Sequence, residues 1–287
     1  MTAPCHEQFL RSADGLRLHV RCHDGPRPDA PVVLCLHGLT RTCRDFEDLA
    51  PRLQRHYRVL APDLRGRGLS DRDPQPGHYQ PAQYLQDLLA LLPAVGATRY
   101  AVIGTSLGGL LAMMLAATQP AQVAGIVLND IGPEIDPAGV ERIRQYAGRM
   151  APVADWAQAV AQAQQVYGAA WPGLDQACWQ RLARRGYRED AQGVPRIDAD
   201  PMIGEAFRGA PRAALELWPL WSAQRDVPVL AIRGALSDIL SRATLARMQR
   251  EKPDLETLEI AQRGHVPLLD EPGCVERIEA FLARLRF

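Results

Sequence analysis

Short apolar runs alternate along this chain with longer stretches whose apolar residues recur at helical spacing. The first two runs, Gln8–Ser12 and Leu16–Cys22, flank Ala13-Asp14-Gly15. Asp-Gly between two such runs signals a tight turn, so the pair reads as a hairpin. Pro31–Leu36 (PVVLCL) is apolar throughout, the pattern of a strand covered on both faces. Tyr57–Ala61 is a similar run and follows a helical stretch around Arg44–Leu53. Pro81–Val95 places Tyr84, Leu85, Leu88, Leu89, Leu91 and Leu92 on one helical face. A strand at Tyr100–Ile103, a helix at Leu107–Thr118 and a strand at Val123–Leu128 continue the rhythm. It resumes with strands at Val227–Ile232 and Leu255–Ile260, and helices at Arg242–Arg250 and Cys274–Leu285. Strands alternating with helices imply parallel pairing and a three-layer α/β architecture.

The rhythm stops between Pro133 and Ser222. That segment reads as helical pieces punctuated by Pro and Gly, such as Val140–Met150, Trp156–Val166 and Asp175–Arg185, with no strand among them. It contains all five tryptophans, at 156, 171, 179, 218 and 221. Residues 1–132 and 223–287 therefore form the sheet-based core, and 133–222 a helical cap inserted between two strands. A cap closes over the C-terminal edge of a sheet, where α/β folds place their ligands, so some of its aromatics line a pocket.

Composition narrows the function classes. The 287 residues carry 33 basic and 33 acidic side chains, and 47% are hydrophobic. A neutral, apolar-rich chain is not disordered and lacks the basic footprint of a nucleic-acid partner. No run approaches the roughly 20 apolar residues of a membrane span. Of the basic residues only Lys252 is lysine, which reads as the coding bias of a GC-rich bacterial genome. The six cysteines form no Cys-x-x-Cys pattern, so neither a metal nor a redox centre is expected. The N-terminus lacks the basic and apolar regions of a secretory signal, giving a cytoplasmic expectation with free thiols. Cys5 and Cys22 fall on neighbouring predicted strands, which leaves one pairing open.

The chemistry concentrates at strand ends. Gly104-Thr105-Ser106-Leu107-Gly108 is a G-x-S-x-G segment between a predicted strand and a helix. Such an elbow strains the serine backbone and exposes its hydroxyl, while a flanking Cβ would collide with the turn. A serine needs a base. Among seven histidines, His265 lies in a Gly-hinged loop after the last strand, at the same sheet edge. His37 reads as an architectural ring that holds its loop, and the other five as solvated or structural. The base needs a carboxylate. Asp238, after VPVLAI, is the first choice, and Asp130, after GIVLN, is the rival.

These motifs together resemble the α/β-hydrolase superfamily, in its capped subgroup, over nearly the whole chain. They are His37-Gly38-Leu39, Ala61–Asp71, the Ser106 elbow, Gly234–Asp238 and Gly264-His265. The resemblance implies a mostly parallel eight-stranded sheet and an oxyanion hole made by the backbone N–H groups of Leu39 and Leu107. It also implies that Arg65 and Arg67 are salt-bridged scaffold. Serine at the elbow argues against the dehalogenase and epoxide-hydrolase branches, which resemble this chain but carry Asp there.

The expected function is hydrolysis of a small, partly hydrophobic carboxylic ester, lactone or thioester through an acyl-enzyme on Ser106. No cofactor or metal is required, and the partner is a small-molecule substrate. Arg41, Arg44, Trp156 and Trp218 are the candidate substrate contacts. A carbon–carbon hydrolase or lyase, a cofactor-free perhydrolase and a weakly catalytic ligand receptor share the same scaffold and stand as alternatives.

Overall fold

The computed structural model describes residues 5–210 and 216–287. The core begins with β1 (Cys5–Arg11), β2 (Arg17–His23), β3 (Val32–Leu36), α1 (Ala50–Leu53), β4 (Arg58–Pro62) and α2 (Pro81–Ala94). It continues with β5 (Tyr100–Thr105), α3 (Leu107–Thr118) and β6 (Val123–Asn129). The inserted segment holds α4 (Pro137–Tyr146), α5 (Trp156–Tyr167), α6 (Gln176–Gly186), β7 (Tyr187–Glu189), β8 (Pro195–Ile197), α7 (Pro201–Gly209) and α8 (Trp218–Ala223). The chain then closes with β9 (Val229–Gly234), α9 (Arg242–Glu251), β10 (Glu256–Ile260) and α10 (Cys274–Leu282).

Eight strands form one sheet in the order β1-β2-β4-β3-β5-β6-β9-β10. The pairs from β4 to β10 are parallel, and β2 is antiparallel to both β1 and β4. The continuous apolar strands are explained by two separate cores. In β3, Val32, Leu34 and Leu36 face one cluster with α2 and α3, while Val33 and Cys35 face another with α1 and α10. Burial on both faces needs apolar side chains of both parities. The order also brings the C-terminal ends of β5, β6 and β9 side by side, although β9 lies a hundred residues further along the chain.

Two expectations are corrected. The inserted segment is not purely helical: β7 and β8 pair antiparallel. The turn joining them is set by Asp190, whose Oδ1 accepts from the N–H groups of Gln192 and Val194, and by Gly193 at φ 78°. The expected helix over 44–53 is a 3-10 turn at Cys43–Phe46 followed by the single turn of α1. The two halves of the first hairpin register so that Cys5 faces His23 and Cys22 faces His6, and both thiols are free. The expected cap also includes residues 211–215, which lie outside the described residues. Its expected end at 222 falls inside α8, whose Trp221 is buried in the core cluster that contains α3. No helix among the described residues is long and apolar enough to cross a membrane.

Candidate active site

The β5–α3 junction is a sharp elbow. Ser106 sits there at φ 52°, ψ −114°, a conformation that L-residues rarely adopt. Both flanking glycines are obligatory for space. A Cβ at Gly104 would lie 2.3 Å from the Gly108 carbonyl oxygen, and one at Gly108 would lie 2.0 Å from that of Leu36. The turn is pinned by Ser106 N–H donating to Asn129 O at 3.0 Å. α3 starts at Leu107, whose N–H is in the first turn and has no intrahelical acceptor.

His265 Nε2 lies 2.9 Å from Ser106 Oγ, and its Nδ1 lies 2.8 Å from Asp130 Oδ2. The carboxylate that meets the imidazole is therefore Asp130, the rival, and not Asp238. Asp130 follows β6 with φ 58°, a backbone turn that swings its side chain toward the end of β9. Its Oδ1 accepts from Gly234 N–H at 2.8 Å and its Oδ2 from Ser237 Oγ at 2.6 Å. Ser237 Oγ in turn accepts from the N–H groups of Ile239 and Leu240, which leaves its proton for Asp130. Asp130 is fully buried, and so these bonds are made without competition from water.

Asp238 is committed elsewhere. Arg142 of α4 grips it with Nε at 2.5 Å from Oδ2 and Nη2 at 2.8 Å from Oδ1. Burial acts to raise its carboxyl, but the Arg142 hydrogen bond and charge outweigh this and leave it below the ordinary carboxylate value. Asp238 thus ties the cap to the loop after β9.

His37 holds the other side of the site. Its Nε2 accepts from Leu64 N–H at 3.0 Å, and so Nδ1 carries the proton and donates to Gly38 O at 2.8 Å. Burial pulls this histidine down to about 4, consistent with a neutral ring. Gly38 O also accepts from Arg41 N–H at 3.2 Å. In a trans peptide the N–H points opposite the C=O. Pinning Gly38 O from two sides therefore fixes the direction of the Leu39 N–H. Arg67, buried, donates from Nε to Leu39 O at 2.9 Å and stacks over Tyr84. Arg65 is clamped by Asp87 (2.6 and 2.7 Å) and Asp14, whereas Arg67 is held by carbonyl oxygens and, contrary to expectation, makes no ion pair among the described residues.

Above Ser106 lies a cleft lined by core residues including Leu39 and His265 and by the cap residues Ile143, Tyr146, Tyr167, Trp171 and Leu182. Of the four candidate substrate contacts, only Arg41 lines it. Arg44 bonds Glu47 and the Tyr187 carbonyl. Trp156 donates to Glu189 at 2.6 Å under the Arg184 guanidinium, and Trp218 lies under Arg247. The aromatic residues of the inserted segment that line the cleft are Tyr146, Tyr167 and Trp171, none of them among the expected substrate contacts. Their signal was helical phase: Tyr146 and Tyr167 are the last residues of α4 and α5, the ends that overhang the sheet. Trp171 Nε1 also donates to Val266 O at 2.7 Å, beside His265.

A model of the α/β-hydrolase fold family matches residues 31–272. The chain belongs to that family. This α/β hydrolase is 33% identical over 284 residues to a 3-hydroxybutyrate-oligomer hydrolase of Cupriavidus necator, covering 95% of this chain and 96% of the relative. It is 28% identical over 237 residues to a 2-(acetamidomethylene)succinate hydrolase of Mesorhizobium japonicum, covering 82% and 81%. Among solved structures, an α/β hydrolase from Novosphingobium aromaticivorans superposes with a TM-score of 0.92 at 45% identity, over 99% of this chain and 100% of that one.

Proposed function

We propose that this α/β hydrolase cleaves carboxylic esters through an acyl-enzyme on Ser106. The observation that carries the reading is the unbroken relay from Ser106 Oγ through His265 to Asp130, with contacts of 2.9 and 2.8 Å. His265 Nε2 takes the Ser106 proton as Oγ attacks the ester carbonyl, and the Asp130 carboxylate stabilises the imidazolium. The Leu39 and Leu107 N–H groups bind the developing oxyanion, where losing one such donor typically costs about 10²–10³ in rate. His265 then protonates the leaving alcohol. A water molecule, deprotonated by the same ring, attacks the acyl carbon and releases the acid. The aromatic and aliphatic lining supports an acyl or alkyl part that is small and partly apolar. The similarity to a protein named for hydrolysing 3-hydroxybutyrate oligomers supports esters of short hydroxy acids within that class.

The test is direct. Ser106→Ala abolishes hydrolysis of p-nitrophenyl butyrate, and a fluorophosphonate probe labels the wild-type protein at Ser106 and nowhere else. Equal turnover by the variant, or labelling that spares Ser106, sinks the proposal. Ring-cleavage diketones belong on the same substrate panel, because preferential turnover of these would move the chain to carbon–carbon chemistry.

A further inference from the structure

A second cavity adjoins the cleft above Ser106, between the inserted segment and the loop after β3. Six residues, Thr40, Arg41, Tyr146, Tyr167, Trp171 and Leu182, line both spaces. Beyond them the wall of the second cavity is built largely from small residues, Ala147, Gly148, Ala163, Gly186 and Ala199. A Cβ at Gly186 would lie 3.0 Å from Arg41 Nη1, so the room beside Arg41 depends on the missing side chain at 186. Protein interiors are otherwise close-packed, and the atoms around a void forgo dispersion contacts until something fills it.

Charge in this second cavity is already settled. Among the described residues its wall holds two charged side chains, Arg41 and Asp200, and both are paired. Arg41 Nε lies 3.0 Å from both Asp45 oxygens. Asp200 accepts from the Tyr79 hydroxyl at 2.8 Å and from Met202 N–H at 2.9 Å. The Tyr187 hydroxyl is likewise committed, donating to Gln162 at 2.5 Å. Direction follows from the base. The leaving oxygen of an ester must come within hydrogen-bond reach of His265 Nε2, and His265 with residues 266–269 line only the first cleft. The alcohol half therefore lies on that side. The acyl half points the other way, past Thr40 and Arg41, where the second cavity lies.

We propose that the second cavity is an acyl-chain subsite, and that the preferred substrates are esters whose acyl half is an extended, uncharged chain. The inference rests on the ester-hydrolase reading above and specifies its substrate class, lengthening the acyl half beyond the small part that the first cleft holds. The scissile carbonyl and a short alcohol occupy the first cleft, and the distal acyl chain passes Tyr146 and Tyr167 into the second cavity. A charged chain end would lose hydration there without gaining a partner.

Isomeric esters test the direction on the wild-type protein. Ethyl octanoate and octyl acetate have one composition but carry the long chain on opposite sides of the ester bond. Ethyl octanoate has a kcat/KM at least tenfold higher, because its distal methylenes are buried. Equal or reversed preference overturns the inference. p-Nitrophenyl octanoate against mono-p-nitrophenyl suberate, of equal chain length, reads charge. The neutral ester is at least tenfold better, and a suberate ester turned over as well as the octanoate overturns the inference. Met150→Trp fills the second cavity from a residue that does not line the first. It lowers the ratio of kcat/KM for p-nitrophenyl octanoate over p-nitrophenyl acetate at least tenfold, and a folded variant that keeps the wild-type ratio overturns the inference. If that variant does not fold, the isomeric pair decides. Absence of these preferences in a protein that the fluorophosphonate still labels at Ser106 refutes this inference alone. Failure of the probe to label Ser106 refutes the hydrolase reading beneath it.

Discussion

At the scale of single residues, two aspartates at adjacent strand ends have separate duties. Asp130 is buried and takes three hydrogen bonds, one of them from His265 Nδ1, whereas Asp238 is half-exposed and gripped by Arg142. Replacing the triad carboxylate by its amide leaves shape intact but removes the charge and favours the wrong imidazole tautomer, a loss of about 10⁴ in kcat in a serine protease. Asp130→Asn is expected to lose activity on that order in p-nitrophenyl butyrate turnover, while Asp238→Asn loses less than about tenfold. The reverse ranking would return the acid role to Asp238. Ser237 belongs to the same constellation, since both of its acceptor sites are filled by backbone N–H groups and its proton is committed to Asp130.

At the scale of elements, His37 joins the loops that follow β3 and β4 through one neutral ring. Its folded-state value of about 4 lies below the unfolded value near 6.5. As pH falls the unfolded chain therefore takes up this proton first. The stability contributed by His37 is complete above about pH 6.5 and is lost as pH falls to about 4, an effect of about 3 kcal/mol. Protonation also removes the acceptor for Leu64 N–H and slackens the segment that orients the Leu39 amide. Urea unfolding of wild type and His37→Asn across pH 4–7 checks this: the stability difference between the two proteins should depend on pH in that window. A difference that stays constant would show that His37 does not titrate on unfolding. The elbow is set at the same scale, by backbone approaches at Gly104 and Gly108 that admit no Cβ.

At the scale of the whole molecule, the inserted segment does more than cover the sheet. Its α5–α6 connection holds the loop that carries His265, with Gly264 N–H donating to Ala170 O at 2.7 Å and Trp171 Nε1 to Val266 O at 2.7 Å. The Arg142–Asp238 pair ties α4 to the loop after β9 in the same manner. Placement of His265 therefore depends on both layers. Trp171→Phe keeps the aromatic wall but removes the indole donor, and a neutral hydrogen bond contributes about 1 kcal/mol. We expect kcat for p-nitrophenyl butyrate to fall several-fold, with the melting temperature lowered by no more than a few degrees. An unchanged kcat would mean that the His265 loop holds its position without the cap.

Much of this was legible in the chain alone. Continuous apolar runs and helical periods marked the central strands and the helices, because the central strands are buried on both faces and most helices on one. The glycines around Ser106 announced the elbow, since only that geometry demands them, and the loop after the last strand marked His265 as the base. The short β7–β8 hairpin escaped because strands of three residues leave no periodic trace. The choice between Asp130 and Asp238 escaped for a different reason. Both follow strands that end at the same sheet edge, and they differ only in what meets them: Ser237 and Gly234 for one, and for the other an arginine 96 residues away. The lining of the cleft is likewise a matter of where helix ends overhang the sheet. Local sequence determined most of the elements and singled out the candidate serine and histidine. Tertiary structure decided which charges are already paired, because pairing is a property of neighbours in space.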